Sequence, residues 1–230
     1  MENTVLDYLV QEISNGSFDP NEPLPSEYYL ATRFFVSRVV VRKAYSKLEE
    51  MGLLHSYQGK GRFLAKQTEP ILLETIRSKS FTTKMKEAGH RLSNKNILSQ
   101  QAKYSRKIWN KLGIKQDEKA YQVGRLRIID NEPVALHLSY VSMTKFPDIE
   151  IEGPAIKSMF SYFQQKGYTN LDDPESILYA TLPTTEEQRL LNCLPLVPLL
   201  VNESNTVTNG EFVIQFSRII YRSDRIKHLN

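Results

Sequence analysis

Residues 24–64 read LPSEYYLATRFFVSRVVVRKAYSKLEEMGLLHSYQGKGRFL, and they hold two short helical patterns, a tight turn and a hairpin with a glycine-rich, basic tip. Few folds accept that order. Pro25 and Ser26 start the first helix, with Ser26 as N-cap and Glu27 at the positive end of the helix dipole. Leu30, Ala31 and Phe34 form its apolar side. A turn at Phe35 and Val36 leads to a second N-cap, Ser37, after which Val41, Ala44, Tyr45, Leu48 and Met51 recur at helical spacing. The same periodicity sends Arg38, Val39, Arg42, Lys43 and Ser46 to the opposite face, with two arginines one turn apart.

Gly52 suits the left-handed residue that ends the helix. Residues 53–57 and 62–65 then read as strands around a Gln58-Gly59-Lys60-Gly61 tip. Glycine there lets the backbone approach a phosphate or a minor groove, and Lys60 and Arg62 add charge. Together these elements describe a winged helix-turn-helix, whose second helix reads bases with its N-terminal residues. Charge supports this reading. Residues 1–32 contain six acidic side chains and no Lys or Arg, whereas residues 33–66 set eight basic side chains against Glu49 and Glu50, a local +6. A basic stripe of this kind supplies the salt-sensitive phosphate attraction that DNA binding needs.

The remaining chain suggests a second domain. At 230 residues the chain suits two domains. Residues 66–74 read as a connector that passes Pro70 into a short extended run at 71–73. The segment SFTTKMKEAGH from Ser80 reads as a helix stopped by Gly89, then an extended stretch to Gln101, a helix over 104–112, and a hairpin of strands 119–129 and 133–141 around Asp130-Asn131. Ile156, Met159, Phe160 and Phe163 suggest the buried stripe of a further helix. Thr184 with Glu187 forms a capping-box pattern, and residues 199–204 and 211–222 are strand candidates. Hairpins with inserted helices argue for an α+β domain around an antiparallel sheet.

LPSE at 24–27, VSR at 36–38, VRKA at 41–44 and QGKG at 58–61 make the N-terminal part resemble the DNA-binding domain of GntR-type bacterial transcription regulators. FTTKMKEAG at 81–89, VGRLRIIDNEPVALHLSYV at 123–141, FP at 146–147 and FSRIIYRSDR at 216–225 resemble the UTRA effector-binding domain, which has a chorismate-lyase-like fold and accompanies that domain in the HutC subfamily. The resemblance implies a winged helix-turn-helix over 1–67, a linker at 68–75 and an effector-binding and dimerisation domain over 76–230. It implies a homodimer on a palindromic double-stranded DNA operator, acting in the cytoplasm as a repressor whose operator affinity answers to a small polar or anionic effector such as a sugar phosphate.

Arg38, Arg42 and Gly59 match family positions that contact DNA. The wider candidate DNA-binding set is Ser26, Tyr28, Ser37, Val39, Val40, Lys43, Gln58 and Lys60 beside them. Tyr28 stands where the family commonly has arginine and Val40 where it commonly has threonine, which bears on the operator sequence. For the effector, strand alternation sends Arg125 and Arg127 to one face, where two guanidiniums can clamp an anion; a solvated strand face is the alternative. Ser80, Phe81, Thr82 and Thr83 lie at a helix start, whose free amides suit an anion. His137 and Gln215 stand where many relatives carry glutamates, and Tyr221 is a further candidate. Arg222 and Asp224 suit either a site or a structural ion pair.

No catalytic residue, cofactor or metal is expected. The four histidines are scattered and lack metal-ligand spacing, and no phosphate-binding or nucleophile motif is present. Cys193 is the single cysteine, so no intramolecular disulfide can form. The acidic, amphipathic start is not a signal peptide, and residues 193–201, broken by Pro195 and Pro198, are too short to span a membrane.

Overall fold

The computed structural model describes residues 2–65, 71–74, 85, 87, 89–174, 176–209 and 212–229. Its first unit contains α1 (Glu2–Ser14), α2 (Glu27–Phe34), α3 (Arg38–Glu50) and the antiparallel hairpin of β1 (Leu54–Tyr57) and β2 (Gly61–Leu64). Ser26 caps α2 as expected, accepting from the Tyr29 N–H, and Phe35 closes that helix in the left-handed region at φ 53°. Ser37 occupies the N-cap position of α3 but makes no side-chain capping bond. Val5 and Leu9 of α1, Leu30 of α2 and the expected stripe Val41, Ala44, Tyr45 and Leu48 of α3 are fully buried in one cluster, which Leu24 and Leu54 complete. Arg33 marks the charge reversal, yet its guanidinium is used at home. It donates to Tyr8 Oη at 2.8 Å and lies over the Tyr8 ring, tying α2 to α1.

β3 (Ile71–Glu74) follows and pairs in parallel with β11 (Ile226–Leu229). The connector expected at 68–75 therefore includes a strand of the second unit. Local pattern does not reveal this because its partner lies at the other end of the sequence. The expected helix before Gly89 falls mostly outside the described residues, as do Ser80, Phe81, Thr82 and Thr83; Met85 and Glu87 are helical, and Gly89 has φ 80°.

Next come β4 (Leu92–Gln101), α4 (Arg106–Leu112), β5 (Ala120–Ile129) and β6 (Glu132–Ser142). Asp130 and Asn131 both have positive φ, 49° and 71°. Such a turn matches the right-handed twist of the flanking strands. A helical turn α5 (Ile149–Glu152), helix α6 (Met159–Gln165), strands β7 (Leu171–Asp172) and β8 (Ser176–Thr181), helix α7 (Thr185–Leu191) and strands β9 (Leu199–Thr208) and β10 (Phe212–Arg222) complete the chain before β11. The capping box at Thr184 and Glu187 is formed in both directions.

The main sheet has seven strands in the order β4-β5-β6-β10-β9-β7, with β8 also paired to β9. All its pairings are antiparallel. One face packs Leu126, Leu136, Val201 and Ile220 against Leu191 of α7, and Tyr140 and Phe216 against Trp109 and Leu112 of α4. The other face rises from an apolar end, where Val123 and Val141 meet Phe146, Met159 and Phe163, to a polar centre. Two expectations for α6 change: Ile156 lies before the helix, and Phe160 is half-buried beside that polar centre rather than in the core.

The two units touch. The Leu196 N–H donates to the Glu50 carbonyl at the end of α3, at 3.2 Å. Gly52, at φ 73°, leaves room there for Val197, whose side chain would stand 3.1 Å from a Cβ at that position.

Candidate functional site

Sheet register assembles the polar centre. Arg125 of β5 stands opposite His137 of β6, which pairs with Ile219 of β10, which pairs with Asn202 of β9. In the neighbouring row Ser139, Ser217 and Ser204 are paired in sequence. Because side chains alternate along a strand, these residues and Arg127, Thr206 and Gln215 share a face. With Lys157, Ser158, Phe160 and Phe163 from the α6 side, Leu171 and Asp172 of β7 and Asp173 just after it, they line a cavity of about 170 Å³. That space admits a small molecule.

Its floor is strongly cationic. Arg125 and Arg127 are only 2% and 6% exposed, so they are not a solvated strand face. The Arg125 guanidinium donates to Ser139 Oγ at 2.9 Å and to His137 Nδ1 at 3.2 Å, and Arg127 donates to the same Nδ1 at 2.7 Å. A guanidinium can only donate. Nδ1 is therefore an acceptor shared by two arginines, which puts the imidazole proton on Nε2, 3.3 Å from Ser139 Oγ. Burial, then the charges of Arg125 and Arg127, push the His137 ring well below the ordinary imidazole range. Burial also pulls Arg125 down to about 9, with the charge of Arg127 adding to the effect, and Arg127 down to about 10. At neutral pH the floor thus carries two cations around an uncharged acceptor. The carboxylates of Asp172 and Asp173 also line the cavity.

Gln215 lines the cavity and donates to Thr206 Oγ1 at 3.2 Å. Tyr221 does not line it. That ring is buried among Met85, Ile129, Val134 and Ala135, where burial pushes its hydroxyl up to about 12. Arg222 and Asp224 form a structural ion pair at 2.7 Å, and Arg222 also donates to the Leu191 carbonyl. The sequence reading missed Lys157, Ser158, Asn202, Ser204, Thr206 and Ser217. The unbroken polar run Asn202-Glu203-Ser204-Asn205-Thr206 inside a strand was the available signal.

The first unit presents a second surface. Tyr28, Ser37, Arg38, Val39, Arg42, Lys43, Gln58, Gly59 and Lys60 are exposed, while Val40 is half-buried. Tyr28 and Val39 are 72% and 59% exposed. Gly59 adopts φ 75° at the hairpin tip. Ser26 is occupied as a helix cap. Beneath Arg38 and Arg42 lies Glu27, whose carboxylate also meets Arg62 of β2.

Comparison with known proteins matches each unit to a family. The profile of bacterial regulatory proteins of the gntR family matches residues 1–64, and that of the UTRA domain matches residues 87–227. The chain belongs to the GntR family, HutC subfamily. GntR-family relatives include the transcriptional repressor NagR of Bacillus subtilis, 26% identical over 96% of this chain and 90% of that protein. MngR of Escherichia coli, a repressor of a mannosyl-D-glycerate transport and metabolism system, is 26% identical over 97% of this chain and 92% of its own. The crystal structure of PhnF from Mycobacterium smegmatis shares the fold, with a TM-score of 0.63 over 98% of this chain and 97% of that chain at 19% identity. GntR-family proteins of this architecture are transcription regulators, not enzymes. The gntR-type unit implies binding to DNA, and the UTRA unit implies binding of a small-molecule effector. Among the described residues no helix is long and apolar enough to cross a membrane, and no cluster of three potential metal ligands occurs.

Proposed function

We propose that this protein is a metabolite-responsive transcriptional repressor that acts in the cytoplasm as a homodimer on a palindromic operator. Its effector is a small anion, with sugar phosphates the leading class. The observation that carries the effector assignment is the cavity floor, two buried guanidiniums sharing one neutral imidazole acceptor. Phosphate or carboxylate oxygens are the natural partners of a pair of guanidiniums, through short charge-assisted bonds. Serine, threonine and amide groups from β9 and β10 surround the remaining space and suit hydroxyls of a sugar. MngR, by name the repressor of a mannosyl-D-glycerate transport and metabolism system, supports an effector of the carbohydrate class.

The DNA surface follows from the exposed set on α3 and the wing. Arg38 and Arg42 lie in the first turns of α3, the part of a recognition helix that reaches base edges. Lys43, Lys60 and the Gly59 backbone suit phosphates. We take residues 1–65 as the DNA-binding domain, with the effector-binding and dimerisation domain including β3. Asn202 and Ser204 line the cavity on β9, and the segment preceding that strand holds Leu196 and Val197 against the end of α3. An effector that binds one arrangement of this contact more tightly than another shifts the population of DNA-competent dimers.

A thermal-shift screen of sugar phosphates, repeated as a fluorescence-anisotropy titration on a duplex selected by the protein from a random library, tests the proposal. A compound that raises the melting temperature and changes duplex affinity supports it. DNA binding indifferent to every anion that stabilises the protein refutes the effector reading.

A further inference from the structure

We propose that Glu27 is a specificity-determining residue of the DNA surface, a buttress that fixes the fork of Arg42 and masks part of the cationic face from phosphates. The proposal rests on the DNA-binding reading above. Its basis is a carboxylate 13% exposed that lies beneath two arginines exposed at 63% and 59% and beside a third.

The geometry distinguishes the three arginines. Arg42 is held in two places, Nε to Oε1 at 3.2 Å and Nη2 to Oε2 at 3.1 Å. Arg62 of the wing reaches Oε1 at 3.1 Å. Arg38 stands off at 3.6 Å, outside hydrogen-bond range, and remains free to turn toward a base or phosphate. A bidentate carboxylate occupies one edge of a planar guanidinium and leaves the other edge of the same plane open. Arg42 is therefore pre-aimed, and a pre-aimed fork is what a guanine O6 and N7 pair requires.

Glu27 also spans all parts of the surface, because it opens α2, grips α3 and meets β2. Arg42's hydrogen bonds, aided by Arg62, hold its carboxyl below the usual carboxylate range, so it stays charged wherever the protein is folded at neutral pH. One negative charge under the cationic rim weakens attraction to any phosphate backbone. Phosphate attraction serves all sequences alike, whereas a fixed fork serves one. The masking lowers affinity for every duplex alike, and the fixed fork alone raises discrimination.

The test compares the full-length wild type and Glu27→Gln on a duplex selected by the wild type from a random library and on a scrambled duplex, across 50 to 200 mM salt. A wild type that selects no duplex defeats the DNA-binding reading itself. Given selection, Glu27→Gln should bind scrambled DNA more tightly, with a log–log salt slope steeper by about 0.9, the contribution of one charge. The selected-to-scrambled ratio should fall about fivefold or more, the low end of one bidentate contact. In an Arg42→Ala background, adding Glu27→Gln should leave the ratio unchanged. A ratio that survives Glu27→Gln, or that falls equally in the Arg42→Ala background, overturns the proposal. If Glu27→Gln melts below the assay temperature, Glu27→Asp replaces it. Keeping the charge but shortening the arm should lower the ratio without altering the slope, and wild-type behaviour of that variant overturns the proposal too.

Discussion

Replacing Arg125 with Met should make the empty protein more stable while removing its response to anions. Arg125 is 2% exposed, its Nε has no hydrogen-bond partner, and Arg127 is a like charge beside it. Holding a guanidinium at about 9 instead of 12.5 corresponds to roughly 5 kcal/mol of unfavourable environment. Its bonds to Ser139 and His137 return about 1 kcal/mol each. Methionine fills similar space, and both acceptors keep another neighbour, Ser139 at His137 Nε2 and Nδ1 at Arg127. A net gain of about 1–4 kcal/mol is expected, in line with the replacement of buried charges by apolar groups. For a chain of this size that raises the melting temperature by roughly 2–4 °C per kcal/mol. Differential scanning fluorimetry at constant ionic strength, with inorganic phosphate replacing chloride, reads both consequences. Wild type should gain stability with phosphate and Arg125→Met should not. A variant that melts below wild type refutes the reasoning, because the guanidinium would then be a structural bond and not a charge stored for a ligand. A variant that phosphate stabilises as much as wild type refutes its role in the site.

Other outcomes follow from the same geometry. Arg38→Ala should cost roughly 1–3 kcal/mol on the selected duplex and little on scrambled DNA, whereas Lys60→Ala should weaken both alike and flatten the salt dependence by about one charge; equal losses for Arg38→Ala on both duplexes would make it a phosphate contact. His137 gives a pH signature. Its folded state resists protonation, so its contribution to stability is complete above the ordinary imidazole value near 6.5 and is lost as pH falls between that value and the lower one of the folded ring, with a slope of at most about 1.4 kcal/mol per pH unit. Urea midpoints between pH 5 and 7.5 should fall with pH in wild type and fall less in His137→Asn; parallel curves would show that the ring is not what titrates.

The parts of the molecule legible in the sequence are those fixed by neighbours a few residues away. Ser26 caps, Phe35 and Gly52 turn, Asp130 and Asn131 reverse a hairpin, and Thr184 with Glu187 closes a capping box, each through contacts within five residues. Strand alternation likewise put Arg125 and Arg127 on one face. What lay hidden depends on distant partners. The extended run at 71–73 was read correctly, but not that it pairs with β11 at the far end of the sequence, and β8 carries no alternation, since nearly all its residues are exposed. Tyr221 faces the same side of the sheet as Gln215, yet it falls beyond the polar row and into a core. Glu27 looked like a helix-dipole residue because its three arginines come from two other elements.

The two-residue period of the main sheet has an evolutionary consequence. On β5, β6 and β10 the cavity takes odd-numbered residues such as Arg125, His137, Gln215 and Ser217, while even-numbered neighbours such as Leu126, Leu136, Phe216 and Ile220 form the core on the opposite side. Across the middle of these strands recognition chemistry and structural chemistry thus alternate, while the strand ends give both faces to the core. A lineage can exchange one metabolite for another by substituting every second residue, and the helices behind the sheet are not obliged to repack.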